Sequence, residues 1–155
     1  MAIHYLKGDA TSPIGDDSKA IIHVCNDIGA WGAGFVLALS KKWPQPEAQY
    51  RAWAKSKTNF QLGFVQPVKV AEDITVINMI GQKGIRSIGN MIPLRYDALK
   101  ICLTKVAGYC KANNMSVHMP RIGCGLAGGD WNKVEEIIKD TLIAEGLEVY
   151  VYDFD

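Results

Sequence analysis

Two segments of this chain each run from an apolar, strand-like stretch through a glycine-rich loop into an amphipathic helix. That pair of units confines the chain to an α/β fold. In the later unit, Met119-Pro-Arg-Ile-Gly-Cys-Gly-Leu-Ala-Gly-Gly-Asp-Trp131 places four glycines within seven residues. Glycine admits positive φ and lets main-chain N–H groups approach a ligand with no Cβ in the way, and a following helix adds free N–H groups and its positive dipole end. Such a stretch reads either as a pyrophosphate cradle or as a glycine-rich strand-to-helix loop without a ligand. In the earlier unit, Ala20-Ile-Ile-His-Val-Cys25 reads as a buried strand and is followed by Asn26-Asp-Ile-Gly-Ala-Trp-Gly-Ala-Gly34. Phe35, Leu39 and Trp43 then recur four residues apart, with Lys41 and Lys42 in the last turn, where cations suit a helix C-terminus. Two such units can grip one ligand between them.

The remaining segments continue the alternation. Strands are expected near 2–7, 20–25, 63–70, 74–80, 115–119 and 147–153, and helices near 33–43, 46–57, 94–113 and 131–145. The strands at 63–70 and 74–80 are joined by a short turn at Glu72-Asp73, and residues 85–92, between Gly84 and the next helix, read as a mobile loop. Leu99, Leu103, Val106 and Cys110 give the long helix an apolar stripe that faces a core. The pattern predicts a three-layer α/β/α sandwich on a mixed central sheet, with the early and late strands supplying the mixing. No linker or internal repeat divides residues 1–155, and the length suits one domain that buries roughly two-thirds of its unfolded surface.

Composition excludes several classes. With 48% hydrophobic and 21% charged residues the chain is not a disordered segment. A formal charge of +1 leaves no cationic excess for bulk nucleic-acid binding, although a local basic patch remains open. The start, Met1 to Leu6, is interrupted by Lys7 and Gly8 too soon for a signal peptide, and no apolar run approaches a membrane span, so a soluble, cytoplasmic protein is expected. The four cysteines lie far apart and the three histidines form no ligand-spaced cluster. No metal site or cofactor is predicted. The cysteines read as core thiols, except Cys124, whose glycine loop can face a ligand.

Lys7-Gly-Asp-Ala-Thr11 after the first strand, Asn26 with Trp31-Gly-Ala-Gly34 after the second, Pro120-Arg-Ile-Gly-Cys-Gly-Leu126 and the last strand from Glu148 to Asp153 form an ordered set. In that set the chain resembles the macrodomains, which bind ADP-ribose and its derivatives. Within the family it is most similar to the branch of terminal ADP-ribose glycohydrolases and yeast-type ADP-ribose-1''-phosphate phosphatases. The resemblance implies that ADP-ribose or an ADP-ribosylated substrate is the partner, with an oligomeric state that the sequence leaves open.

Ligands of open α/β sheets bind outside the carboxyl ends of strands, where Gly8, Asp9 and Ala10, residues 26–34 and residues 122–129 all emerge. Asp9 reads either as an acceptor for the adenine amine, the role the resemblance assigns, or as a turn cap through Thr11 or Ser12. Tyr152 falls where macrodomains place an aromatic against adenine, or it is an ordinary strand tyrosine. The pyrophosphate would lie between the main chain of Trp31, Gly32, Ala33 and Gly34 and that of Gly123, Cys124, Gly125, Leu126 and Ala127. Trp31 either walls the cleft or plugs the core. Arg121 suits a salt bridge as well as a phosphate.

Asn26 offers a donor and an acceptor to the terminal ribose or to a water beside its anomeric carbon, and it is the first candidate for catalysis. His23, which by the resemblance matches a histidine of the phosphatase branch, is the second, with a hydrogen-bonded core histidine as its other reading. Two positions depart from the glycohydrolase pattern: Gln82 replaces a lysine and Ala127 an aspartate, with Lys83 and Asp130 as neighbours and Asp130 also readable as a helix N-cap. An amide cannot form the imine that an amine forms with an opened ribose. The expected activity is therefore ADP-ribose binding with hydrolysis of an ADP-ribosyl ester or of ADP-ribose-1''-phosphate, or else non-catalytic reading of ADP-ribose.

Overall fold

Apolar β-branched runs form the sheet. The computed structural model describes residues 3–154 and contains strands β1 (Ile3–Lys7), β2 (Ser18–Asn26), β3 (Val65–Ala71), β4 (Ile74–Gln82), β5 (Met115–Met119) and β6 (Val149–Asp153). The expected start of the first strand at residue 2 lies outside the described residues. Helices α1 (Phe35–Lys42), α2 (Gln45–Ser56), α3 (Tyr96–Ala112) and α4 (Trp131–Ile138) alternate with the strands. The strand order is β1-β6-β5-β2-β4-β3.

The sheet is mixed, as expected, but not for the expected reason. β1 pairs parallel with β6, and β6 with β5, so the early and late strands run with the rest. The antiparallel member is β3, folded back on β4 through the Glu72-Asp73 turn. A two-residue connection can only join antiparallel neighbours, whereas the parallel pairs here each need a longer crossover.

Alternation along β2 feeds two cores. Ala20 and Ile22 point to one face, where they pack with Ile77 and Met79 of β4 and with Leu99, Leu103 and Val106 of α3. Ile21 and Cys25 point to the other face and meet Leu39 of α1 and Tyr50 of α2. The period-2 pattern of a strand thus sends odd and even residues to opposite layers. Pro44 and Pro46 flank the first turn of α2, where a missing N–H leaves no bond unmade.

The helix expected over 131–145 changes character midway. α4 ends at Ile138, and residues 139–143 wind as a π-helical turn in which Ala144 N–H donates to Lys139 O at 3.0 Å. Asp130 caps α4, its Oδ1 accepting from Asn132 N–H at 2.9 Å. Residues 83–92 form a loop that is pinned at both ends. Lys83 N–H donates to Pro93 O, and Ile88 and Met91 exchange main-chain bonds across Gly89-Asn90.

Candidate ligand-binding groove

Three adjoining cavities run along the carboxyl ends of the strands. The first, of about 330 Å³, is lined by Gly8, Asp9 and Ala10 after β1, by Phe35 and by Tyr152 and Phe154 at the end of β6. The middle one, of about 180 Å³, is bounded by Ala33 and Gly34 on one side and by Gly123, Gly125 and Leu126 on the other. A distal cavity of about 430 Å³ lies among Asn26, Trp31, Gln82, Ile85 and Leu126. Gly34 and Phe35 border the first two, and Ala33, Gln82 and Leu126 the last two, so the three make one groove. The three loops singled out in the sequence do converge.

The middle section is built from main chain. α1 begins at Phe35, so its first-turn N–H groups open beside the cavity that Gly34, Phe35 and Val36 line. The facing loop is folded on itself, with Gly129 N–H donating to Gly123 O at 2.8 Å and Gly128 N–H to Gly125 O at 3.0 Å. Leu94 N–H donates to Ala127 O and anchors it. Gly123 has φ 73° and a Cβ there would stand 2.9 Å from the Leu94 methyls. At Gly125 a Cβ would meet nothing within 4 Å, because that face of the residue is open. Cys124 is half-buried, and burial together with the Asp130 carboxylate raises its thiol, which stays protonated and neutral.

At the first cavity Asp9 makes the turn-capping contacts and also lines the cavity. Oδ1 accepts from Thr11 N–H and Thr11 Oγ1, each at 2.8 Å, which caps the turn with one carboxylate oxygen. Lys42 of α1 closes the same loop by donating to Thr11 O at 2.6 Å. Tyr152 is buried. Its hydroxyl accepts from Ile14 N–H at 3.0 Å and is hydrogen-bonded to His118 Nδ1 at 2.8 Å, so the residue builds the wall. Phe154, 79% exposed, lines the cavity two residues further on. Phe154 is not among the residues expected from the sequence; it lies just past β6, and its spacing two residues beyond Tyr152 is the one local signal for it.

At the distal cavity the β2–β4 register slips between Cys25 and Asn26, bringing Asn26 opposite Gln82. A bulge of this kind re-aims a side chain at the rim of a sheet. Asn26 Oδ1 accepts from Ile28 N–H and Ala30 N–H at 3.0 Å and lies 2.9 Å from the Tyr50 hydroxyl, and Nδ2 donates to Ala30 O at 2.8 Å. This network fixes the amide orientation and leaves one Nδ2 proton. Gln82 Nε2 donates to Gly84 O at 2.9 Å.

Trp31 is 5% exposed and donates through Nε1 to Ser40 Oγ, so it serves mainly as a core plug whose edge reaches the cavity. His23 borders the middle cavity but is buried, with Nε2 2.6 Å from Asn78 Oδ1. Asn78 Nδ2 donates to Pro46 O and Gln66 Oε1, which makes its Oδ1 the acceptor and His23 Nε2–H the donor. Burial drives the imidazole down to about 4, so it is neutral at pH 7.

Arg121 borders the middle cavity, and its charge is already engaged. It forms a two-pronged pair with Asp153, 2.6 and 3.0 Å, beneath the rings of Tyr5 and Trp131. Asp130 is engaged as the α4 cap, and Lys83 Nζ points to Asp27 Oδ2 at 3.9 Å. Neither neighbour takes the place of the lysine or aspartate expected from the glycohydrolase pattern. Among the described residues no group of three or more His, Cys, Asp or Glu side chains can hold a metal ion. No helix there is long and apolar enough to cross a membrane.

The fold and groove define an α/β protein with a glycine-lined cavity between two strand-to-helix loops. No family model matches the chain. It is similar to a protein of unknown function from Bacteroides thetaiotaomicron, at 57% identity and a TM-score of 0.97, covering 99% of this chain and 98% of that one. It is also similar to a macrodomain protein from Streptomyces coelicolor, at 49% identity and a TM-score of 0.89, covering 98% and 99% of the two chains. The chain belongs to the macrodomain family. The ADP-ribose 1''-phosphate phosphatase of Lodderomyces elongisporus is 27% identical over 165 residues, 99% of this chain and 100% of that protein. Against chromodomain-helicase-DNA-binding protein 1-like from Mus musculus and Danio rerio, at 29% and 30% identity, the chain spans only 18% and 15% of their lengths.

Proposed function

We propose that this macrodomain binds ADP-ribose along the groove and hydrolyses a derivative at the terminal ribose, either an ADP-ribosyl ester or ADP-ribose-1''-phosphate. The carrying observation is the middle cavity, walled on both sides by glycine-rich main chain and open at Gly125. The name of the fungal relative supports the same reading. Adenine would occupy the first cavity, with the Asp9 carboxylate accepting from its amine and Phe154 covering its face. The diphosphate would take N–H groups from residues 31–34 and 123–127, and the terminal ribose would enter the distal cavity.

Hydrolysis there would use the remaining Nδ2 proton of Asn26 to hold a ribose oxygen or the attacking water. A phosphate of the substrate would receive the water's proton. His23, the second candidate, is neutral at pH 7 and would act from the middle cavity, beside the diphosphate. Gln82 supplies no amine, so the route would not pass through an imine.

A second reading, a non-catalytic reader of ADP-ribose, is favoured by one observation: the candidate catalytic groups are already engaged. Asn26 Oδ1 faces three donors, and His23 Nε2 is committed to Asn78. Isothermal titration with ADP-ribose, ADP and NAD tests the binding half; selective binding of ADP-ribose is expected, and its absence overturns the reading. Incubation with ADP-ribose-1''-phosphate and with an ADP-ribosyl ester then separates enzyme from reader. Product release that Asn26→Ala abolishes supports the enzyme, and binding without turnover supports the reader.

A further inference from the structure

The rim around the distal cavity carries charges that the three cavities leave unused. Asn26 and Ala30 line the cavity, while Ile28 and Gly29, on the other side of the same loop, line a shallow surface groove of about 630 Å³ with Arg51, Ala52, Ala54 and Lys55 of α2. The opposite rim is joined to this loop through Asp27. Its Oδ1 accepts from Gly84 N–H at 2.7 Å, and Lys83 Nζ stands 3.9 Å from its Oδ2. Ile85 lines the cavity, and the exposed Arg86 follows it.

Four cations lie on the two segments next to this cavity: Arg51 and Lys55 on α2, which meets the 26–30 loop where Arg51 Nη1 donates to Gly29 O at 3.4 Å, and Lys83 and Arg86 within residues 83–92. Asp27 is engaged as described, and Glu47 accepts from Arg51 Nε and from Ser40 Oγ, each at 2.9 Å. Lys55 and Arg86 make no ion pair among the described residues. For a chain of formal charge +1 this is a local excess of positive charge. The 26–30 loop and residues 83–92 also expose aliphatic side chains, Ile28, Ile85 and Ile88. No aromatic residue lines the α2 groove or occurs in residues 83–92, so neither offers the stacking platform that single-stranded nucleic acid uses.

We propose that this rim docks the polypeptide to which ADP-ribose is attached, and that it prefers an acidic polypeptide. The inference rests on the reading of the groove as an ADP-ribose site. A polypeptide joined to the terminal ribose that leaves the distal cavity over the 26–30 loop meets Arg51 and Lys55, and one that leaves over residues 83–92 meets Lys83 and Arg86. Carboxylates flanking the modified residue satisfy those cations. Long-range attraction of this kind speeds encounter and weakens with salt.

The test compares free ADP-ribose, two peptides carrying ADP-ribose through a stable amide, one flanked by Asp and Glu and one by Ser and Gly, and an ADP-ribosylated oligodeoxynucleotide. Each is titrated into the unaltered protein and into a Lys55→Glu, Arg86→Glu double variant. The acidic peptide is expected to bind about three- to tenfold tighter than the neutral one at low salt, as a few exposed ion pairs would give. That advantage should vanish in the double variant and at roughly 0.5 M salt, with free ADP-ribose affinity equal in both proteins. Equal affinity for the two peptides, a preference that survives the double variant, or tighter binding of the oligonucleotide would each overturn the proposal. Failure of free ADP-ribose to bind the unaltered protein overturns the reading of the groove instead.

Discussion

Gly123 and Gly125 stand two residues apart in one loop and call for opposite mutational outcomes. A side chain at Gly123 is strained by φ 73° and strikes Leu94, so Gly123→Val should lower the melting temperature, with a destabilisation of about 1–3 kcal/mol, as for other overpacked sites. At Gly125 the added carbons enter only the middle cavity. Gly125→Val should keep the melting temperature and abolish ADP-ribose binding; unchanged affinity would remove the loop from the phosphate site. Asp9→Ala should weaken ADP-ribose by about 1–3 kcal/mol, the range for losing a charged hydrogen-bond acceptor, and leave ribose-5-phosphate untouched. Equal losses for both ligands would assign Asp9 to its turn alone. Tyr50, buried between Trp31 and Phe60, donates to Asn26 O at 2.6 Å and fixes that residue from below. None of this second tier was legible in sequence, because Tyr50, Asn78 and Ala30 become partners of Asn26 and His23 only through the fold.

At the scale of elements, β2 and β5 each carry an interior histidine, and each makes stability depend on pH. His118 has no exposure, lies between Ser116 Oγ and the Tyr152 hydroxyl, and is lowered by burial to about 4, as His23 is. Both are neutral in the fold and regain an ordinary imidazole basicity when unfolded. The unfolded chain therefore takes up their protons first as pH falls through 6.5. Stability from these sites is complete above pH 6.5 and is lost progressively toward pH 4, by roughly 3 kcal/mol for each histidine. Urea denaturation at pH 7 and pH 4.5 checks this, and His118→Gln should reduce the difference by about half, the His23 share remaining. The strands and helices themselves were largely legible, since β-branched runs and three- to four-residue apolar steps are local signals. Two features were not. The parallel pairing of β1 with β6 is a long-range choice, and the π turn after Ile138 has no glycine or proline to announce it before Gly146.

For the molecule as a whole, the cradle and the rim should respond differently to salt. In the proposed binding mode the diphosphate would be met by main-chain N–H groups, and Arg121, which borders the same cavity, is paired with Asp153, so ADP-ribose affinity should change less than about twofold between low salt and roughly 0.5 M, as for binding without free cations. A steep salt dependence would show that side-chain charge, not the glycine loops, holds the ligand. The strand order also governs when the groove can exist during synthesis. Gly8 to Ala10 follow the strand nearest the N-terminus, and Tyr152 and Phe154 belong to the end of the last strand, which hydrogen-bonds to that first one. Until β6 zips between β1 and β5, a nascent chain lacks the residues that complete the first cavity, the proposed adenine pocket. On that reading ligand capture would be reserved for molecules whose translation has run through the final strand, and a chain terminated before it would compete for no ADP-ribose.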